Sequence, residues 1–283
     1  VGGFLILQGS LSAAMMLAAT GYFSEISNSL SNLIEEAVTF RSTKELAKKL
    51  EDERDFSCPV ERGLVREEEP AITYHNVSFS FDQRQLYRDF CHVFRPGGCY
   101  AIVGESGSGK TTLIKLLLKY YDNYTGEIYF GDQDIKNATE REILAQISVV
   151  NQSAFLFNAS LYENITMFGQ TPAQDSDAYQ ALLEELNLTD LAKRVGEKPL
   201  GDFGDHISGG ERQRICIARA MQKHASVMVF DEPTTGLDPE NVKLIQEFIF
   251  RQKHITRIVI THDWSKEYLD RFDEVIRVPG AAD

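Results

Sequence analysis

The stretch "CYAIVGESGSGKTTLIKLLLKY", residues 99–120, joins three patterns in 22 residues. Cys99–Val103 is a short, apolar, β-rich run that reads as a strand ending at Gly104. Gly104, Gly107 and Gly109 then fall within six residues, and an apolar helical pattern, "LIKLLLKY", follows. The loop between them fits G-x-x-x-x-G-K-[ST] in the strand–loop–helix setting that gives this pattern its meaning. The glycines let backbone N–H groups curl around phosphate oxygens with no side chain in the way. Lys110 has the reach for β- and γ-phosphates, and Thr111 for a bound Mg²⁺. Gly104, Glu105, Ser106, Gly107, Ser108, Gly109, Lys110, Thr111 and Thr112 are therefore expected to hold a nucleotide.

Working outward, short apolar runs recur along the chain: "ISVV" (147–150), "VMVF" (227–230) and "RIVI" (257–260). Helical patterns lie between them, at about 110–121, 139–146, 160–167, 175–193, 210–222 and 239–252. Strands alternating with helices indicate an α/β domain with a mainly parallel sheet, whose ligands sit at the strands' carboxyl ends. "AITYHNVSFSF" (71–81) alternates like a half-buried strand, and no helix separates it from the next runs. A small antiparallel piece is expected there.

"VMVFDE", residues 227–232, ends an apolar strand in two carboxylates. Such a pair is a weak signal alone. Beside a phosphate loop it becomes a metal and water site: Asp231 supports Mg²⁺, while Glu232 polarises the attacking water. "ISGGERQR", residues 207–214, holds no nucleophile–base pair and no metal spacing. Its Ser208 and the N–H groups of Gly209 and Gly210 open a helix, which suits a phosphate.

Composition limits the alternatives. An apolar fraction of 43% and a charged fraction of 25% are those of an ordinary globular protein with a sizeable core. The net charge of −13 repels nucleic acid at long range, so nucleic acid is not an expected partner. Cys58, Cys91, Cys99 and Cys216 form no C-x-x-C pair and no zinc spacing, so reduced thiols in a cytosolic domain are expected. From Val1 to Ser24 no residue is charged. A helix of that length covers about 36 Å at 1.5 Å per residue, enough for the roughly 30 Å hydrocarbon core. Its many small residues suit packing against other membrane helices. Ile26, Leu30, Leu33, Ile34, Ala37 and Val38 continue helical periodicity beyond it, and residues 41–69 are dense in charge. The expected organisation is a membrane helix with its extension over 1–50, a charged linker over 51–70, and an ATP-binding domain over 71–283 with a helical part at about 153–222.

The order of GESGSGKTT, a glutamine after a strand ("VVNQ", 149–152), ISGGERQR, VMVFDEP, "GLD" (236–238) and "ITHD" (260–263) resembles the nucleotide-binding domain of an ABC transporter of the exporter type. That resemblance implies an α/β P-loop NTPase fold with a small antiparallel β subdomain and a helical signature subdomain, preceded by the last membrane helix of a fused subunit. It implies ATP and Mg²⁺ as ligands and ATP hydrolysis as the activity. Lys110, Glu232 and His262 would be catalytic, with His262 on the γ-phosphate and orienting Glu232. Phe81 would stack on adenine where the family often has tyrosine, with Tyr74 as the fallback. Gln152 would join Thr111 and Asp231 at the metal and sense the membrane domain. Ser208, Gly209, Gly210 and Glu211 would meet the nucleotide of a second copy, and Asp238 would lie on the loop that crosses to it. A homodimer is favoured by the intact motifs, with a heterodimer as the alternative. The transmembrane domains of the same transporter are the other expected partner, with the ATPase on the cytoplasmic face of a membrane. Ile207 and Glu211 replace the family's usual leucine and common glutamine, and Asp202 in "GDFGDH" replaces a glutamate. Two other readings are a non-transport ATPase of this class, acting in DNA repair or translation, and a separate importer subunit. The uncharged residues 1–24 argue against both, and Ser208 follows Gly104 by only 104 residues, too few for a repair-type coiled coil.

Overall fold

The computed structural model describes residues 70–278 apart from 82, 83, 170–172, 175, 202, 203 and 205. The expected membrane helix, its extension and all of the linker before Pro70 lie outside the described residues, as do Asp202 and the final residues after 278. Among the described residues no helix is long and apolar enough to cross a membrane.

Two sheets organise the domain. Strands β1 (Ile72–Phe81), β2 (Arg84–Phe94), β4 (Thr125–Phe130) and β5 (Gln133–Asp134) form an antiparallel sheet in the order β2-β1-β4-β5. Strands β3 (Cys99–Val103), β6 (Ile147–Val150), β7 (Val227–Asp231), β8 (Thr256–Ile260) and β9 (Glu274–Arg277) form a parallel sheet in the order β6-β7-β8-β3-β9. Every residue of β3 and β8 is buried, as expected where both faces of a parallel sheet are covered.

Because side chains alternate across a strand, the parallel sheet feeds two cores. Tyr100 and Ile102 of β3, Val227 and Val229 of β7, and Ile258 and Ile260 of β8 face one side. There they pack with the antiparallel sheet and with Leu113, Ile114, Leu116 and Leu117 of helix α1 (Lys110–Leu117). Ala101, Val103, Met228, Phe230 and Val259 face the other side. That side is covered by α3 (Leu161–Thr166), α4 (Asp177–Glu185), α5 (Thr189–Val195), α6 (Gly209–Met221) and α7 (Pro239–Arg251). Helices α2 (Glu140–Gln146) and α8 (Lys266–Leu269) complete the set. The two cores divide the domain as the sequence suggests, with an antiparallel piece on one face and a helical region on the other.

The helix starts follow local chemistry. Thr139, Ser160 and Ser208 each accept a backbone N–H in the first turn, and Glu142, Glu163 and Glu211 reach back to complete capping boxes. The single helix expected over 175–193 is instead two. Asn187 sits at φ 51°, and Leu188 N donates back to Leu183 O at 2.7 Å. The break lets Leu186 and Leu188 both enter the core, where each is fully buried. Periodicity cannot show such a break, because the residues on either side keep an apolar face. Likewise β5, β9 and α8 are too short to give a periodic signal.

Candidate nucleotide site at the carboxyl ends of the parallel strands

The register sets Asp231 opposite Ile260 and Ile260 opposite Ile102, so β7, β8 and β3 end level. The glycine loop leaves β3 at Gly104 and returns as α1. Gly109 stands at its start with φ 104°, a conformation that glycine adopts without strain. Tyr87 of β2 donates its hydroxyl to the Gly109 carbonyl at 2.7 Å and holds that turn. Helix α1 has no side-chain cap, so its first N–H groups are left to a ligand. Among the described residues the three longer helices each have one: Ser176 on α4, Ser208 on α6, Asp238 on α7.

Lys110 is 5% exposed and turned onto its own loop, donating to Gly104 O at 3.0 Å and Glu105 O at 2.8 Å. Burial holds its ammonium below the ordinary lysine range, against the pull of Glu232 and Asp231. β8 lies between β3 and the strand bearing the carboxylates, so sheet neighbourhood alone does not join loop and acid. The crossing of α1 does: Thr111 Oγ1 donates to the Asp231 carboxylate, 3.1 Å from Oδ2 and 3.3 Å from Oδ1. Burial raises the Asp231 carboxyl above its ordinary value; the Thr111 hydroxyl opposes this, and the Glu232 charge adds to it.

Glu232 follows with φ 51°, a left-handed conformation that costs a non-glycine residue about 1 kcal/mol and often marks a functional turn. Its N–H donates to Ile260 O at 3.0 Å. Three side chains converge on its carboxylate: His262 Nε2 lies 2.7 Å from Oε1, Gln152 Nε2 donates to Oε2 at 2.8 Å, and Thr235 Oγ1 donates to Oε2 at 3.1 Å. Gln152, Glu232 and His262 come from the ends of three adjacent parallel strands, which is why residues 80 apart meet.

A cleft of about 340 Å³ opens above, lined by Phe81, Ser106, Gly107, Gly109, Lys110, Thr111, Thr112, Glu232 and His262, with Arg84 and Leu86. Phe81 is 41% exposed and braced edge-on by Phe79 and Tyr121 at 5.0 Å. Tyr74, by contrast, is fully buried with its hydroxyl on Leu113 O at 3.0 Å, so the fallback aromatic belongs to the core. Gly104, Glu105 and Ser108 shape the loop without lining the cleft; a Cβ on Gly104 would come 2.6 Å from Ser108 Oγ. Ser208, Gly209, Gly210, Glu211 and Asp238 do not line it either. Ser208 Oγ caps its own helix, accepting from Glu211 N at 3.2 Å. Asp238 caps α7 through Asn241 N at 3.1 Å, and Asn241 also takes a hydrogen bond from Arg214. Thr235, Tyr87 and Arg84 escape sequence reading, because nothing local marks a strand residue or a turn threonine that works across the sheet.

Among the described residues no group of three or more His, Cys, Asp or Glu side chains could hold a metal ion. The oxygens of Thr111 and Asp231 fit a hard cation of the Mg²⁺ kind, which takes few protein ligands and completes its shell from phosphates and water.

Comparison with known proteins identifies the family. The ABC transporter family model matches residues 88–235. The chain is 32% identical over 213 residues to an ATP-dependent lipid A-core flippase of Francisella novicida, covering 74% of this chain and 35% of that protein. It is 35% identical over 202 residues to multidrug resistance protein pgp-1 of Caenorhabditis elegans, covering 68% and 15%. A bacterial Atm1-family ABC exporter with ATP bound superposes with a TM-score of 0.69 at 30% identity, over 79% of this chain and 40% of that one. The chain thus spans about a third or less of the length of these curated relatives. With the family model over residues 88–235 and relatives 32% and 35% identical across 74% and 68% of its length, the chain belongs to the ABC transporter family.

Proposed function

We propose that this chain is the ATPase part of an exporter: it binds Mg·ATP in the cleft beside α1, and hydrolysis drives movement of the membrane helices to which it is joined. The observation that carries the reading is the Glu232 carboxylate, held at the mouth of the phosphate cleft by His262, Gln152 and Thr235. Phe81 offers its exposed face to the adenine. The loop N–H groups and Lys110 take the phosphates, and Lys110 exchanges its two carbonyl partners for phosphate oxygens. Thr111 and Asp231 would hold Mg²⁺, with the Gln152 amide oxygen as a further ligand; the ion would supply charge neutralisation for the phosphates. Glu232 accepts a proton from a water whose oxygen bonds to the terminal phosphorus as the P–O bond to ADP breaks, and it returns that proton to the departing inorganic phosphate. His262 keeps the carboxylate oriented through Oε1.

Ser208, Gly209, Gly210 and Glu211 stand apart from this cleft with Asp238, which supports a site completed by a second copy of the chain. Two nucleotides would then be clamped between two domains, each bound by one chain's loop and the other's signature. The ligand is a nucleotide rather than a nucleic-acid strand, in keeping with a net charge of −13. The names of the relatives, a lipid flippase and a multidrug resistance protein, support a place at a membrane, and the ATPase would lie on its cytoplasmic face. Glu232→Gln tests the reading: Mg²⁺-dependent turnover is expected to fall by about a hundredfold or more, with ATP affinity within threefold and a dimer accumulating on ATP. Turnover near that of the parent would give the water to another group and end this assignment.

A further inference from the structure

Glu211 brings a carboxylate into the first turn of α6, beside the half-site that would receive a polyanion. There the charge helps the helix dipole but repels phosphate. The structure shows how the charge is held. Oε2 accepts from Ser208 N at 2.8 Å, and Oε1 accepts from Arg194 Nη2 of α5 at 2.7 Å. Glu211 is 15% exposed at its side chain, so the pair is partly shielded, while Arg194 is 57% exposed. Burial pushes the Glu211 carboxyl up, but the hydrogen bonds from Ser208 and Arg194 outweigh it and hold it below the ordinary value. The acid is ionised at neutral pH. The two arginines of its own helix turn are committed elsewhere: Arg212 Nη2 donates to Gly204 O at 3.4 Å, and Arg214 to Asn241. The guanidinium bonded to Glu211 comes from a different helix, 17 residues back.

We infer that Arg194 is a positioning residue for the shared nucleotide site, cancelling the Glu211 charge and keeping its carboxylate in the capping box, so that the start of α6 accepts the terminal phosphate of an ATP held by a second copy. The inference rests on the shared-site reading above. A glutamine at 211 would make the same capping box without a charge and would not need Arg194 in this role. The tie between Arg194 and Glu211 is electrostatic, and its removal acts on the closed dimer while leaving the cleft beside α1 untouched.

The test uses the full chain carrying Glu232→Gln, titrated with Mg·ATP, with dimer mass read by analytical ultracentrifugation and monomer binding read with a fluorescent ATP analogue. Arg194→Ala is expected to raise the ATP concentration for half-maximal dimer about tenfold, with monomer binding unchanged within twofold. Arg194→Lys, which keeps the charge, retains most of the parent's dimerisation. In a Glu211→Gln background, adding Arg194→Ala shifts the midpoint less than twofold, the non-additivity expected of one coupled pair. An unchanged midpoint for Arg194→Ala overturns the inference. So does an equal loss in both backgrounds, which would make Arg194 a plain anchor between α5 and α6, and so does loss of monomer binding, which would make it part of the fold. If the parent itself never dimerises on ATP, the shared-site reading fails first and takes this inference with it.

Discussion

Truncating Lys110 to alanine separates what the residue does for the loop from what it does for a ligand. Its ammonium makes two hydrogen bonds, at 3.0 Å and 2.8 Å, to the carbonyls of Gly104 and Glu105. Charge-assisted bonds of this kind contribute about 1.5–3 kcal/mol each. Removing them also relieves the desolvation of an ammonium that is 5% exposed, a penalty of several kcal/mol. The two effects oppose, and the net loss of stability is expected to be about 1 kcal/mol, a fall in Tm of roughly 2–4 °C. For a bound triphosphate there is no such offset, because the phosphates bring a compensating charge. Two lost charge-assisted bonds at the low end of the range cost about 3 kcal/mol, which is a factor of more than 10² in affinity. Calorimetric titration with Mg·ATP and a thermal melt of the same preparation read both quantities. Affinity within threefold of the parent, with a Tm drop of 10 °C or more on the scale above, would refute the reasoning, since Lys110 would then be a strut of the loop.

His262→Ala removes the 2.7 Å contact to Glu232 Oε1 and is expected to lower turnover by about tenfold or more, with little change in ATP affinity; unchanged turnover would show that Gln152 and Thr235 suffice. Asp231→Asn separates stability from binding. The raised carboxyl of Asp231 favours its protonated form, so the stability linked to it is full below the unfolded-state pKa and is lost as pH rises through the folded value. At neutral pH asparagine removes that cost, and Tm of the nucleotide-free protein should rise by roughly 1–2 °C, kept small by solvent screening, while Mg²⁺-dependent ATP binding is lost. The stability gain should vanish in acid; a gain that persists there would mean another cause. Asn164 is fully buried, accepting from Phe157 N at 2.8 Å and Arg219 Nη2 at 3.0 Å, and donating to the carbonyls of Phe157, Ala159 and Ser160. Asn164→Ala should destabilise by about 2–4 kcal/mol, read in urea denaturation, and an unchanged midpoint would show that water replaces the whole network.

What could be read directly from the residues was whatever is settled within about ten positions. The strand–glycine loop–helix run at 99–120 and the apolar runs of β6, β7 and β8 all place their signal in adjacent residues. Hydrogen bonds and side-chain alternation at that range leave a pattern in the letters themselves. Phe81, Gln152, Asp238 and His262 had no such pattern, and only the order of motifs in a known family marked them. The tertiary structure decided who meets whom. It set β8 between β3 and β7, used α1 to carry Thr111 to Asp231, and gathered Gln152, Thr235 and His262 on one carboxylate. It broke the expected helix at Asn187 to bury two leucines, and it set Arg194 against Glu211. These pairings follow from how whole faces are buried: each is fixed by the packing of elements far apart in the chain, and no single segment carries enough of that balance to reveal it.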